Sequence, residues 1–467
     1  MGEISVELKK PKRKKTINIT KNNLSYLFDE YMTRRELSQI QLVKDAGIDQ
    51  SSFSKAMNGS RKFPLTMALR IGEKLQIPDK ELLTTFGLDC NRKECIEEFV
   101  VFCIVQKKKE YCEELVENTI TKGRSQIETI FNIAEKIFQL AEKKKAESHK
   151  LKESGSTLKA KNAEECWLYL YRESYKLFDL LYDMITHQKT SEKLTQLSAL
   201  SAFRICTIAR FLDDADLAYS AVLQLIPQID NLDDPRDKNE AYRQVIARYY
   251  VLSKWKKVFY YSDILASISK ETDPIQYGNA LIYKARAAVN TGNYDIALKL
   301  TDEYGKIDSE DFRKWAQGNR FNIQVEMGDL SIIPEYLDWL KQHREEALGG
   351  IPSILCACVK EGKLDIFEQV MSNFANEIGA YCKPTVDPWK MRQYLQFLLA
   401  KSEYLLHKGE ISEGFEILCF ILSNSIRRNF RKVVVESMKV YNAFIPKFGK
   451  QQINRFAEVL NDLRFNE

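Results

Sequence analysis

The stretch LSQIQLVKDAGIDQSSFSKAMNGSRKFP, residues 37–64, decides how this chain is read. Apolar residues at helical spacing predict a short helix from Leu37 to Ala46, and Gly47 stands where a left-handed residue would end it. Ile48 then turns inward, Asp49 is placed to cap a helix from Gln50 to Met57, and Asn58-Gly59 closes that helix. Two short helices joined by a tight glycine turn predict a helix-turn-helix. Upstream, Asn22 or Asn23 is placed to cap a helix carrying Leu24, Leu27, Phe28 and Tyr31 on one face. Downstream, Pro64 opens a fourth helix with Leu65, Leu69, Ile71 and Leu75, and Pro78 marks the next break.

Charge concentrates around this motif. Residues 1–90 hold 16 Lys+Arg and 11 Asp+Glu, so the +5 of the whole chain sits in its first fifth and the remainder is neutral. The run KKPKRKK, residues 9–15, suits a phosphate-contacting arm better than an import signal. A basic arm over residues 1–20 and a head over 21–90 follow, the charge layout of a nucleic-acid-binding domain on a neutral body. Gln50, Ser51, Ser52 and Lys55 fall on the first turns of the third helix. Gln can bond an adenine edge in two places, and Lys can reach a guanine or a phosphate. Ser60, Arg61 and Lys62 suit contacts to the nucleic-acid backbone.

The rest of the chain of 467 residues reads as helix after helix. Only 19 Gly and 11 Pro are present, too few for the turns of a sheet protein of this size. No stretch is apolar enough to span a membrane, and the N-terminus is charged where a signal peptide is apolar, so an intracellular, cytoplasmic protein is expected. The ten cysteines lack metal-site spacing and read as reduced thiols. The four histidines are scattered, and no nucleotide-binding, hydrolase or metalloprotease motif occurs; no enzyme, cofactor or metal is expected.

Four turns share a signature: Gly292-Asn293-Tyr294, Gly328-Asp329-Leu330, Gly362-Lys363-Leu364 and Gly409-Glu410-Ile411. Their glycines are 36, 34 and 47 residues apart, around the 34-residue tetratricopeptide period. The best copy runs from Ala280 to Leu298, and less regular pairs around Phe203 to Ile226 and Tyr242 to Ile268 join the same array. The fold class expected is all-α: an N-terminal helix-turn-helix domain, a helical connection over 91–162, and a degenerate tetratricopeptide-like right-handed solenoid over 163–467. Within the connection, residues 141–162 have seven lysines and little that is apolar, and read as an exposed link or a frayed helix end.

Counting back from the repeat glycines gives a candidate binding surface. Asn279, Tyr283, Arg286 and Asn290 precede Gly292 at the same offsets at which Trp315, Asn319, Asn322 and Glu326 precede Gly328. Adjacent first helices thus present equivalent polar stripes; in a solenoid these line the concave groove, where Asn pairs with the N–H and C=O of an extended peptide. Arg286 suits a carboxylate and Glu326 a basic side chain. Arg243, Gln244 and Arg248 extend the same surface. A solvated helix face is the plainer reading of these stripes. Near the C-terminus, Ile417, Leu418, Phe420, Ile421 and Leu422 precede Val433, Val434 and Val435, apolar on more than one face, as a homodimer contact requires.

The run from Leu37-Ser38-Gln39 through Ala46-Gly47-Ile48-Asp49-Gln50-Ser51-Ser52-Phe53-Ser54-Lys55 to Asn58-Gly59 and Pro64 resembles the helix-turn-helix of phage repressors, with Val43 where that family usually has Ala. The resemblance implies that Gln39 bonds a phosphate and steadies Gln50. With the repeats behind it, the chain resembles the peptide-pheromone receptors of Gram-positive bacteria and their phages, most of all the arbitrium receptors that set the lysis or lysogeny choice. That resemblance implies a homodimeric transcription regulator in the bacterial host cytoplasm, gripping a double-stranded DNA operator and controlled by a short peptide pheromone in the solenoid. The competing expectation is a helical-repeat scaffold tethered to DNA and controlled by a protein partner.

Overall fold

The computed structural model describes residues 22–121, 126–186, 191–385 and 387–461. All regular structure among them is helical. Two compact units divide the chain, one reaching Leu177 and the other starting at Phe178. The arm over residues 1–20 lies outside the described residues.

In the first unit the head is built from α1 (Asn23–Arg34), α2 (Gln39–Ala46), α3 (Gln50–Met57), α4 (Leu65–Lys74) and α5 (Asp79–Asp89). Its core centres on Phe63, whose ring meets Phe28 at 5.2 Å and Phe53 at 6.4 Å, both edge-on. Ser38 caps α2 by accepting the Gln41 N–H, Gly47 adopts φ +62°, and Asp49 caps α3 by accepting the Ser52 N–H at 2.7 Å. Val43 is buried beside this turn.

Neither Asn22 nor Asn23 caps α1 with its side chain. Asp89, at the end of α5, does so from 65 residues away: its carboxylate accepts the Asn23 and Leu24 N–H groups at 3.1 and 3.0 Å. The Asn22 amide is freed for another task, donating to the carbonyls of Ala56 and Arg61 on either side of the turn that ends α3.

Beyond the head come α6 (Lys93–Val105), α7 (Glu113–Thr121), α8 (Ile127–Glu153) and α9 (Thr157–Thr186), the last crossing the boundary between the units. Residues 141–162, the expected link, are instead the turn of a long helical hairpin. Ala141, Ser148 and Ala160 are buried in it, and the Ser148 hydroxyl donates to the Ala160 carbonyl at 3.0 Å. The lysines lie on the outer face in pairs such as Lys144–Glu147 and Lys152–Glu164. A charged stretch with one small residue per two turns still makes a helix when a neighbouring helix takes that narrow face.

The second unit is a stack of helix pairs. In chain order these are α10 (Glu192–Ala209) with α11 (Ala215–Leu225), α12 (Pro235–Val251) with α13 (Trp255–Ser269), α14 (Pro274–Asn290) with α15 (Tyr294–Tyr304), α16 (Glu310–Glu326) with α17 (Ile333–Gln342), and α18 (Ala347–Lys360) with α19 (Leu364–Asn373). A short α20 (Ala375–Tyr381) precedes α21 (Pro388–Lys408) with α22 (Ile411–Arg427) and α23 (Arg431–Phe444) with α24 (Lys450–Asn461). From α10 to α22 each first helix packs on its own partner and on the first helix of the next pair, the contact pattern of a tetratricopeptide-like solenoid, whereas α24 packs on α22.

Gly292, Gly328, Gly362 and Gly409 all adopt positive φ, between +68° and +90°. Each closes its helix with paired bonds, as when Asn293 N–H reaches the Ala288 carbonyl at 2.9 Å. Ser253 (φ +56°) and Asn429 (φ +57°) make the same turn without a glycine, which is why sequence periodicity passes over them.

The C-terminal pairs return to the first ones. Arg428 meets Asp213 through Nε at 2.9 Å and Nη2 at 3.0 Å. Val251 shares an apolar cluster with Met391, Leu395 and Leu399, and Arg392 donates to the Tyr250 carbonyl at 3.4 Å.

Candidate nucleic-acid interface and candidate peptide groove

The turn chemistry of the head fixes one surface. With Asp49 anchoring the start of α3, Gln50, Ser51 and Lys55 are exposed and Ser52 is half-buried. Hydrogen bonding from the Ser52 backbone, then from its hydroxyl, holds the Asp49 carboxyl below its usual range, so the cap stays ionised. After α3, Ser60 N–H donates to the Asn58 side chain at 3.0 Å and Arg61 N–H to the Lys55 carbonyl at 3.0 Å. Together with the Asn22 amide, these bonds set Ser60 and Arg61 outward and leave Lys62 half-buried.

Gln39 is exposed on the first turn of α2, and no hydrogen bond joins it to Gln50. Beside it Ile40 is 72% exposed, an apolar group on an otherwise polar face that the sequence reading missed. Its signal was its neighbours: Leu42, Val43 and Ala46 already complete the buried face of α2.

In the second unit the equivalent stripes lie along the first helices, but their members divide. Arg286 and Asn290 on α14 come together with the C-terminal helices. The Arg286 guanidinium lies 5.8 Å from the Trp389 ring centre, and Asn290 accepts from Lys432 Nζ at 2.9 Å while donating to the Arg286 carbonyl at 2.7 Å. Arg286 is half-buried, and no carboxylate among the described residues pairs with it.

A second group gathers where α12 meets α14. Arg243 forms an ion pair with Glu240, and the ring of Tyr283 stands edge-on to Tyr250 at 5.7 Å. Arg392 covers the other side of Tyr250, at 4.9 Å, and is itself buried. Arginine suits such stacked places because its flat, weakly hydrated head pairs with ring faces.

The remaining stripe members turn toward neighbouring helices. Asn279 donates to Gln276 at 3.3 Å, and Asn319 donates to the Tyr304 hydroxyl at 2.9 Å. Asn322 donates to the Gly349 carbonyl at 3.4 Å, while its buried Oδ1 has no partner. Glu326 is exposed at the end of α16. Gln244 and Arg248 face the preceding pair: Gln244 donates to Thr207 at 2.9 Å, and the Arg248 guanidinium reaches the Ala215 carbonyl. Burial lowers Arg248 to about 10.

Sequence reasoning missed Trp389, Arg392, Lys432 and Glu403. The same counting that chose Arg286 and Asn322 reaches Glu403 from Gly409, so one of the four was within reach. The other three enter through the return of the C-terminal helices, which no local pattern encodes. Burial, reinforced by the charge of Glu436, raises the Glu403 carboxyl above its usual range.

Among the described residues no group of three or more His, Cys, Asp or Glu side chains is arranged to hold a metal ion. No described helix is long and apolar enough to cross a membrane. No family model matches the chain, and no curated protein does. Among solved structures, Bacillus thuringiensis PlcR in complex with the peptide PapR7 and DNA is similar at 13% identity and a TM-score of 0.24, over 63% of this chain and 98% of PlcR.

Proposed function

We propose that the chain is a DNA-binding transcription regulator whose helical-repeat region takes a short signalling peptide, of the kind found in arbitrium receptors and other peptide-pheromone regulators. The head over 21–90 reads a double-stranded operator with Gln50, Ser51, Ser52 and Lys55, while Gln39, Ser60, Arg61, Lys62 and the arm over 1–20 hold phosphates. The region over 91–162 connects the head to a peptide-binding and dimerising region over 163–467, and the protein works in the bacterial cytoplasm.

The observation that carries the peptide reading is Arg286. A half-buried guanidinium with an aromatic ring under it and no carboxylate beside it is poised for an anion supplied by a ligand. The free carboxyl end of a peptide is such a group. Asn322 Oδ1, buried and unpaired, offers an acceptor to a backbone N–H, and Glu403 and Glu326 suit a basic group on the same ligand. Phe420 and Val435, 42% and 51% exposed on α22 and α23, are surface that a homodimer would cover.

The test joins both halves. DNA fragments retained by the pure protein are sequenced with and without short peptides encoded beside its gene, and calorimetry measures the same peptides against the protein alone. Linkage requires a peptide that binds one arrangement of the solenoid better to shift DNA affinity by the same free energy. Failure of every short peptide to bind, with DNA retention intact, would leave the head as a DNA reader and remove the peptide.

A further inference from the structure

The junction between α5 and α6 holds two thiols that the proposed function does not use. Cys90 follows the last residue of α5, Cys95 sits on the first turn of α6, and their sulfurs lie 2.7 Å apart. Cys90 is buried, whereas Cys95 is partly exposed. Two other thiols of the same unit, Cys103 and Cys112, are both buried.

Within the junction pair the two sulfurs also differ. The hydrogen bond from Cys90 holds the Cys95 thiol below its ordinary range, and the nearby Lys62 charge works in the same direction. The same bond, with burial, pushes Cys90 up. Thiolate is the form that attacks, so of the two sulfurs the reachable one is the more easily ionised and its buried neighbour the less. That is the division of labour between an attacking and a resolving cysteine.

We propose that Cys90 and Cys95 are a reversible disulfide site, responsive to hydroperoxides, at the elbow between the head and α6. The Cys95 thiolate attacks a peroxide oxygen, the O–O bond breaks, the leaving alkoxide or hydroxide takes up the proton that Cys95 released and departs as alcohol or water, and Cys95 becomes a sulfenic acid. The Cys90 sulfur then attacks the Cys95 sulfur, the S–O bond breaks, and the departing hydroxide takes the Cys90 proton as water. Two thiols and one hydroperoxide thus yield one disulfide, one water and one alcohol or second water; a small dithiol reverses the change by exchange.

The position gives the bond a consequence. Asp89, next to Cys90, caps α1, and Phe86 on α5 rests against Phe99 on α6 with ring centres 5.1 Å apart. In the dithiol form this elbow is held by noncovalent contacts; in the disulfide form the head is tied to α6. The site stands whether or not the head binds DNA.

The full-length chain is treated with hydrogen peroxide, blocked with iodoacetamide and digested with trypsin without reductant. Trypsin cuts after Arg92 and Lys93, between the two cysteines, so residues 81–92 and 94–107 stay joined only through a disulfide. The joined fragment should appear with peroxide, vanish with a dithiol, be absent from Cys95→Ser and persist in Cys103→Ser. In the untreated wild type, Cys95 should be alkylated before Cys90, Cys103 and Cys112, a readout that needs no variant. The proposal is overturned if peroxide carries Cys95 to sulfinic acid with Cys90 still free, or if the joined fragment survives in Cys95→Ser.

Discussion

Replacing Ser253 with glycine should stabilise the protein, against the usual sign of such a change. Ser253 adopts φ +56° between α12 and α13, with its N–H on the Tyr250 carbonyl at 3.0 Å and Lys254 N–H on the Tyr249 carbonyl at 2.9 Å. An L-residue in this left-handed conformation costs about 1–2 kcal/mol. Glycine returns that strain but loses about 0.5–1 kcal/mol through its freer unfolded chain. The Ser253 hydroxyl is also buried without a partner, and removing it recovers about 1 kcal/mol more. The net gain is about 1–2.5 kcal/mol, at about 2–4 °C in Tm per kcal/mol for a cooperative unit of this general size.

Asn429→Gly supplies the control. Asn tolerates the left-handed region, and its side chain accepts from Arg431 Nε at 3.3 Å, so that change should be near neutral. Gly292→Ser should cost up to about 1.5 kcal/mol, the strain it introduces less the unfolded-chain freedom it removes. Differential scanning calorimetry reads all three. A Ser253→Gly protein that melts at or below the parent would mean that the α12–α13 turn is not the equivalent of the glycine turns, and the repeat assignment would fail there.

Other expectations follow from the two candidate sites. Gln50→Ala should cost about 1–3 kcal/mol on the cognate operator alone, whereas Lys62→Ala should weaken all sequences alike and reduce the salt dependence, as fluorescence titrations at several ionic strengths would register. Arg286→Ala should keep DNA binding and lose its response to peptide, and Arg286→Lys should restore little, because a point charge does not replace a planar fork; wild-type peptide affinity in both by calorimetry would put the groove elsewhere. Glu403 has a folded-state pKa above its ordinary value, so its contribution is fully present below about pH 4.5 and is lost as pH rises through the raised value. Glu403→Gln should therefore be more stable than the parent at neutral pH, with the gap closing in acid; a gap that widens in acid in pH-resolved denaturation would show that the carboxylate is paired. Phe420→Glu should shift a dimer toward monomer in light scattering, and a parent monomeric at micromolar concentration, free and on DNA, would remove the dimer.

The head was legible because its signals are local. Gly47 and Asp49 each act within four residues of where they stand, so their roles could be read from order alone, whereas Ser38, which the helix expected from Leu37 took in, stands before that helix and caps it. The cap of α1 was not, because Asp89 reaches it from across the fold while Asn22 is spent on the end of α3. The solenoid shows the same division. Glycine turns announce themselves, but Ser253 hides an equivalent turn behind an ordinary residue, and Trp389 and Lys432 come to Arg286 and Asn290 from about a hundred or more residues away. Of the residues counted onto one face, Arg286 lies toward the C-terminal helices, whereas Gln244 and Arg248 bond backward to α10 and α11. A few tens of degrees of helix rotation separate those outcomes, and sequence periodicity does not resolve that angle.

The Arg428–Asp213 pairing joins residues 215 positions apart in a fold whose other contacts are mostly between neighbours. An open array of repeats can fray from either end, each pair melting at a cost set by its own interface. Once the turn after α22 is fastened to the turn after α10, peeling back α22 and α23 also breaks the Arg428–Asp213 pair and the Lys432–Asn290 bond. The second unit should then melt as one cooperative block and fold more slowly than its helical content alone suggests, since the closing contact waits on nearly the whole chain.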